Sequence, residues 1–166
     1  DSLKYKVSDL TLLTPDVKYV GEVTGGGTYY ILKYEAQNTV LPAMYWIKSQ
    51  NNKAKVVVID EQQIVSNDTL AAGSVIFKDI TKAQADQIGK QFALDLIAAS
   101  TSPTGKQHEV ILPRVAIYNS WHSTQDEGWS SFTFEQRGIP YTSIDKDDLK
   151  ASGLRKKFDV VLVPRM

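Results

Sequence analysis

The chain has 166 residues, 42% hydrophobic and 23% charged, a make-up that fits one ordinary globular domain with a real core and does not fit disorder. Its 19 basic and 19 acidic residues cancel, so no overall field favours nucleic acid or an anionic membrane surface, and no apolar run approaches the ~20 residues that span a bilayer. Cysteine is absent, which removes disulfides, thiolate metal sites and a cysteine nucleophile together.

Val17 to Val23 and Thr28 to Tyr34 are rich in β-branched and aromatic residues and read as a hairpin or two adjacent strands. Gly25-Gly26-Gly27 between them supplies turn geometry; a phosphate cradle would need a helix to follow, and a strand follows instead. Asn38 or Thr39 caps a helix running to about Gln50, with Pro42 tolerated in its first turn and Leu41, Met44, Tyr45 and Ile47 or Lys48 near one face. Lys55 to Ile59 is a buried strand, completing a strand-helix-strand unit, and Ile64-Val65 and Ser74 to Phe77 read as short peripheral strands. Thr81 to Gln84 forms a capping box, and Ala85, Ile88, Phe92 and Leu96 repeat at helical spacing to about Ala99.

Ser100 to Gly105 is a Ser/Thr/Pro/Gly linker, dividing one α/β domain or domain fragment (1–166) into sub-parts 1–99 and 106–166. Beyond it come a strand at Arg114 to Tyr118, a helix from about Asp126 to Arg137 anchored by Trp129 and Phe132 and stopped by Gly138 and Pro140, a strand at Tyr141 to Ile144, a helical turn at Asp147 to Ala151 and a strand at Phe158 to Val163. This order is that of a doubly wound sheet, with the strands at Val115, Tyr141 and Val160 parallel. The expected fold is therefore a three-layer α/β, flavodoxin-like, mostly parallel sheet, truncated at its C-terminal side.

Catalytic signatures are lacking. There is no Gly-x-Ser-x-Gly elbow, and the residues three after His108 and His122 are Ile111 and Gln125 rather than carboxylates. The loop after the strand at Val115 concentrates Trp121, His122, Asp126, Glu127 and Trp129 in nine residues, at the carboxyl edge where doubly wound sheets bind ligands. Asp126 and Glu127 suit a helix N-terminus and oppose a phosphate there; as a binding loop they would offer acceptors, Trp121 an apolar face and His122 a titratable donor. The bland alternative is a helix cap with packed tryptophans.

Arg-Val-Ala-Ile-Tyr at 114–118, Asp126-Glu127-Gly128-Trp129, Glu135 to Thr142, Asp148-Leu149 and Leu154 to Pro164 together resemble the class I glutamine-amidotransferase-like domain attached to bacterial zinc carboxypeptidases of the carboxypeptidase A type, over about a third of the chain. The resemblance implies a non-catalytic accessory or binding domain of a secreted, periplasmic or extracellular parent, with the parent's peptidase domain as its partner. Zinc would belong to that peptidase domain and no cofactor to this chain. The rivals are a hydrolase or transferase whose site is completed by residues beyond Met166, and a flavodoxin-like cofactor binder.

Overall fold

In the computed structural model, residues 19–34, 39–65, 68–120 and 124–164 are described. A triglycine stretch leads from β1 (Val23–Gly25) to β2 (Tyr29–Leu32); α1 (Val40–Gln50) follows, then β3 (Lys55–Ile59), the short pair β4 (Gln63–Val65) and β5 (Asp68–Leu70), β6 (Val75–Lys78), α2 (Lys82–Phe92), β7 (Leu96–Ala99) and β8 (Gln107–Glu109). The six longer-range strands form one sheet in the order β1-β7-β2-β6-β3-β8, in which only the β1–β7 pair is parallel.

This overturns the expected three-layer, flavodoxin-like, mostly parallel sheet. β2-α1-β3 and β6-α2-β7 are two crossover units whose strands interleave, each parallel pair separated by an antiparallel strand of the other unit. Such a split βαβ arrangement is the ferredoxin-like topology, here extended by β1 at one edge and β8 at the other.

Three local readings change with it. The helix that the apolar spacing carries to Ala99 ends at Phe92, because Ala93 turns left-handed (φ 56°) and its amide closes on Gly89; Leu96–Ala99 then becomes an inner strand. β6 is not peripheral but lies between β2 and β3, buried on both faces. β1 and β2 are not a hairpin, since β7 enters between them, and an added Cβ at Gly27 (φ 144°) would lie 2.0 Å from the Ala99 carbonyl oxygen. In α1 the buried residues are Pro42, Ala43, Met44 and Ile47, while Leu41 faces solvent.

The two-residue period sorts the sheet into two faces. Tyr30, Leu32, Val56, Val75, Phe77, Leu96 and Ala98 pack under α1 and α2 with Ala43, Ile47, Ala85 and Ile88, and Trp46 meets Phe92 edge-on at 5.9 Å between the helices. α2 starts at the expected capping box, Thr81 Oγ1 accepting from the Gln84 amide at 3.2 Å and Gln84 Oε1 from the Thr81 amide at 3.0 Å. On the opposite face Ile31, Val57, Ile59, Ile76 and Ala99 are joined by Val65 and Leu70 of the β4–β5 ribbon.

The remainder is a smaller sheet. β9 (Val115–Tyr118), α3 (Thr124–Gln136), β10 (Tyr141–Ile144), the short α4 (Lys146–Lys150) and α5 (Leu154–Lys157) and β11 (Val160–Leu162) give the strand order β10-β9-β11, all parallel. The parallel expectation for Val115, Tyr141 and Val160 holds here. Val110 and Leu112 pack against the main core on the way in, and the Tyr45 hydroxyl donates to the Pro113 carbonyl at 2.9 Å.

Candidate functional site

Parallel pairing aligns the carboxyl ends of the small sheet. Ile117 sits between Ser143 and Leu162, and the Asn119 amide continues the ladder to the Ile144 carbonyl at 2.8 Å. The chain leaving β9 therefore starts beside the end of β11 at Pro164. Trp121 and His122 lie outside the described residues. Asp126 and Glu127 occupy the first turn of α3 and Trp129 the next.

Glu127 Oε1 accepts from Ser131 Oγ at 2.7 Å, and the Asp126 side chain is exposed. α4 opens at the same edge, where Asp145 accepts from the Asp147 and Asp148 amides at 2.8 and 3.0 Å. The Asp148 and Asp147 amides hold the Asp145 carboxyl below its usual range. Each of these helix starts thus carries its own carboxylates, which compete with any external anion for the same dipole.

α3 departs from expectation in what it covers. Trp129 and Phe132, read as anchors, are 63% and 51% exposed and meet edge-on at 6.0 Å and 88°. Phe134 faces the sheet side instead, 5.9 Å from Tyr141, whose hydroxyl donates to Glu135 Oε1 at 2.8 Å. A Ser131 hydrogen bond pulls the Tyr141 hydroxyl's pKa down, but the Glu135 hydrogen bond, burial and the charges of Glu135 and Glu127 together leave it raised. Val160 and Val163 are also exposed, 45% and 52%, although parallel strands ordinarily bury both faces.

Sequence reasoning missed the bidentate ion pair between Arg114 and Asp159. Arg114 Nε and Nη2 donate to the two oxygens of Asp159 at 2.9 Å each, the Arg114 amide donates to Asp159 Oδ2 at 2.8 Å, and Arg114 Nη1 reaches the Lys156 carbonyl at 2.6 Å. Both residues stand in the phrases that carry the resemblance, each flanking an apolar strand, and that symmetry was the available signal. The arginine holds the Asp159 carboxyl far below the usual range.

His108, on β8, has Nδ1 2.6 Å from Asp60 Oδ1. Among the described residues no hydroxyl or amine is hydrogen-bonded to its other ring nitrogen, and no group of three or more His, Cys, Asp or Glu could hold a metal ion. The geometry of the described residues thus offers surfaces and ion pairs rather than a nucleophile with its base. No protein-family model, curated protein or solved structure matches the chain.

Proposed function

We propose that the chain is a non-catalytic accessory or binding domain that docks a folded partner through the outer side of its small parallel sheet. One observation carries this: two large aromatic side chains of one helix, Trp129 and Phe132, stand in solvent against each other. An edge-to-face aromatic pair left uncovered is the kind of anchor that protein interfaces bury at their centres. Val160 and Leu162, alternate residues of β11, are exposed as well.

The resemblance of residues 114–164 to the domain attached to zinc carboxypeptidases supplies the partner: the peptidase domain of the same polypeptide, in a periplasmic or extracellular setting. In this reading Asp126 and Glu127, in the first turn of α3, form the polar rim beside the Trp129 anchor. Zinc and peptide hydrolysis belong to the partner.

The test is a calorimetric titration of this chain with the peptidase domain of its own reading frame. Wild type should bind, and Trp129→Ala with Phe132→Ala should weaken binding by about thirtyfold or more, as loss of a ≥2 kcal/mol anchor requires. Undiminished binding by the double variant, or a reading frame without a peptidase domain, overturns the assignment. Chelator-sensitive release of C-terminal residues by the isolated chain overturns its non-catalytic character.

A further inference from the structure

The sheet face opposite α1 and α2 is only partly covered by the β4–β5 ribbon, and its uncovered end holds an unusual row. In register, Tyr29 of β2 lies opposite Lys78 of β6, which lies opposite Lys55 of β3. The pairings Tyr30↔Phe77 and Val56↔Phe77 fix this row one residue further along each strand. Three adjacent strands therefore present a tyrosine and two lysines side by side. They line an open cavity of about 470 Å³ with Val57, Ser102 and Gln107.

Like charges directly opposite each other on antiparallel strands repel and weaken the pairing. Lys55 has Asp79 as a distant partner at 3.9 Å. The other charges at the rim are already engaged, Glu109 with Lys48 at 3.5 Å and His108 with Asp60 at 2.6 Å. Lys78 is partly buried and has only the neutral Gln107 Oε1, at 3.4 Å. No hydrogen bond among the described residues uses the Tyr29 hydroxyl, and Tyr29 packs against the second core cluster, to which Ile31, Val57 and Ile76 belong. One positive charge, an unused hydroxyl donor and an apolar floor are thus left together.

We propose that this cavity binds a small molecule bearing a single carboxylate. The carboxylate accepts from Lys78 and from the Tyr29 hydroxyl, with Lys55 adding attraction, while the apolar part of the ligand lies on Val57 and the Tyr29 ring. A monoanion matches the one uncompensated charge; a phosphate dianion would meet Asp79 at the same rim.

The experiment is a titration of the 15N-labelled chain with benzoate, and separately with inorganic phosphate, followed through backbone amide shifts. Benzoate should give saturable shifts centred on Tyr29, Lys55 and Lys78. Lys78→Met should weaken it by about tenfold or more, the loss expected for a hydrogen bond to a charged group. Tyr29→Phe should weaken it less, and Lys53→Met, outside the cavity, should leave it unchanged. If Lys78→Met does not fold, Tyr29→Phe, which deletes a single oxygen, carries the same test. Absence of saturation, wild-type affinity in folded Lys78→Met or in Tyr29→Phe, or tighter binding of phosphate than of benzoate would each overturn the proposal.

Discussion

Arg114 holds Asp159 from two directions at once, with its guanidinium fork on both carboxylate oxygens and its own amide on one of them. The Asp159 amide answers by donating to the Arg114 carbonyl at 2.9 Å. The amino ends of β9 and β11 are thereby fixed in register before their first paired residues, Val115 and Val160. A planar fork recognising a carboxylate is a geometry that lysine cannot reproduce.

The first prediction concerns pH. Asp159 is pushed well down by Arg114, so its carboxylate contributes stability above the unfolded-state value of about 3.9 and loses it as pH falls further. Urea midpoints measured at neutral pH and below about pH 4 should therefore converge for wild type and Asp159→Asn as the solution becomes acidic. An Asp159→Asn deficit that is unchanged by acid would refute the linkage. Arg114→Lys should lose most of the neutral-pH advantage.

The second concerns Ser74, a fully buried polar residue just before β6. Its hydroxyl donates to the Ala71 carbonyl at 2.7 Å and accepts from the Tyr34 amide at 3.0 Å. The Ala71 carbonyl also receives the Ser74 amide at 3.1 Å, so Ser74→Ala strands mainly the Tyr34 amide. The expected cost is about 1–3 kcal/mol, read by denaturant unfolding. A change within a few tenths of a kcal/mol would mean that another acceptor takes over.

How far the sequence revealed this architecture depends on whether a feature was local. β9, α3, β10 and β11 were legible because each is an apolar or capped segment bounded by Pro113, Gly138 or Pro164 and joined to its neighbour by a short connection. Gly138 does stop α3, its φ of 61° letting the Ile139 amide return to the Phe134 carbonyl. β7 was hidden because Leu96 falls one helical turn after Phe92, and a left-handed alanine leaves no compositional mark. β6 looked peripheral because it is short, and its burial comes from strands far away in sequence.

The site divides in the same way. The acidic opening of α3 could be placed from sequence, whereas periodicity alone does not say which side of a helix a sheet will cover, and Trp129 and Phe132 stand on the uncovered side. The Tyr29–Lys78–Lys55 row was beyond reach, since it exists only once the registers of three strands are set.

Gly27 tests the close approach of β7. With φ at 144° and the Ala99 carbonyl where a Cβ would stand, Gly27→Ala requires both strain and displacement of backbone. A loss of about 2 kcal/mol or more is expected, combining an unfavourable backbone region with overpacking. Gly26→Ala meets no neighbour within 4 Å and should change stability far less. Equal thermal midpoints for the two variants would contradict the geometry.

The α2 start offers a fourth check. Thr81→Ala removes the acceptor for the Gln84 amide and should cost about 1 kcal/mol, with Thr81→Asn recovering most of it. A double-mutant cycle with Gln84→Ala should show coupling, since the two side chains satisfy each other's backbone amides.

The entry of β7 between β1 and β2 has a consequence for how the chain reaches its fold. Val23 finds Leu96, and Tyr29 finds Ala99, across all of α1, β3, the ribbon, β6 and α2. A chain emerging from the ribosome can therefore assemble β2, α1, β3 and β6 early, but β1 has no strand to lie against until the far side of α2 has been made. Long-range closure of this kind slows folding and leaves a strand edge open meanwhile. The bare backbone at Gly21, Gly25 and Gly27 leaves room for the backbone of Leu94, Ala98 and Ala99 to lie directly against that waiting segment.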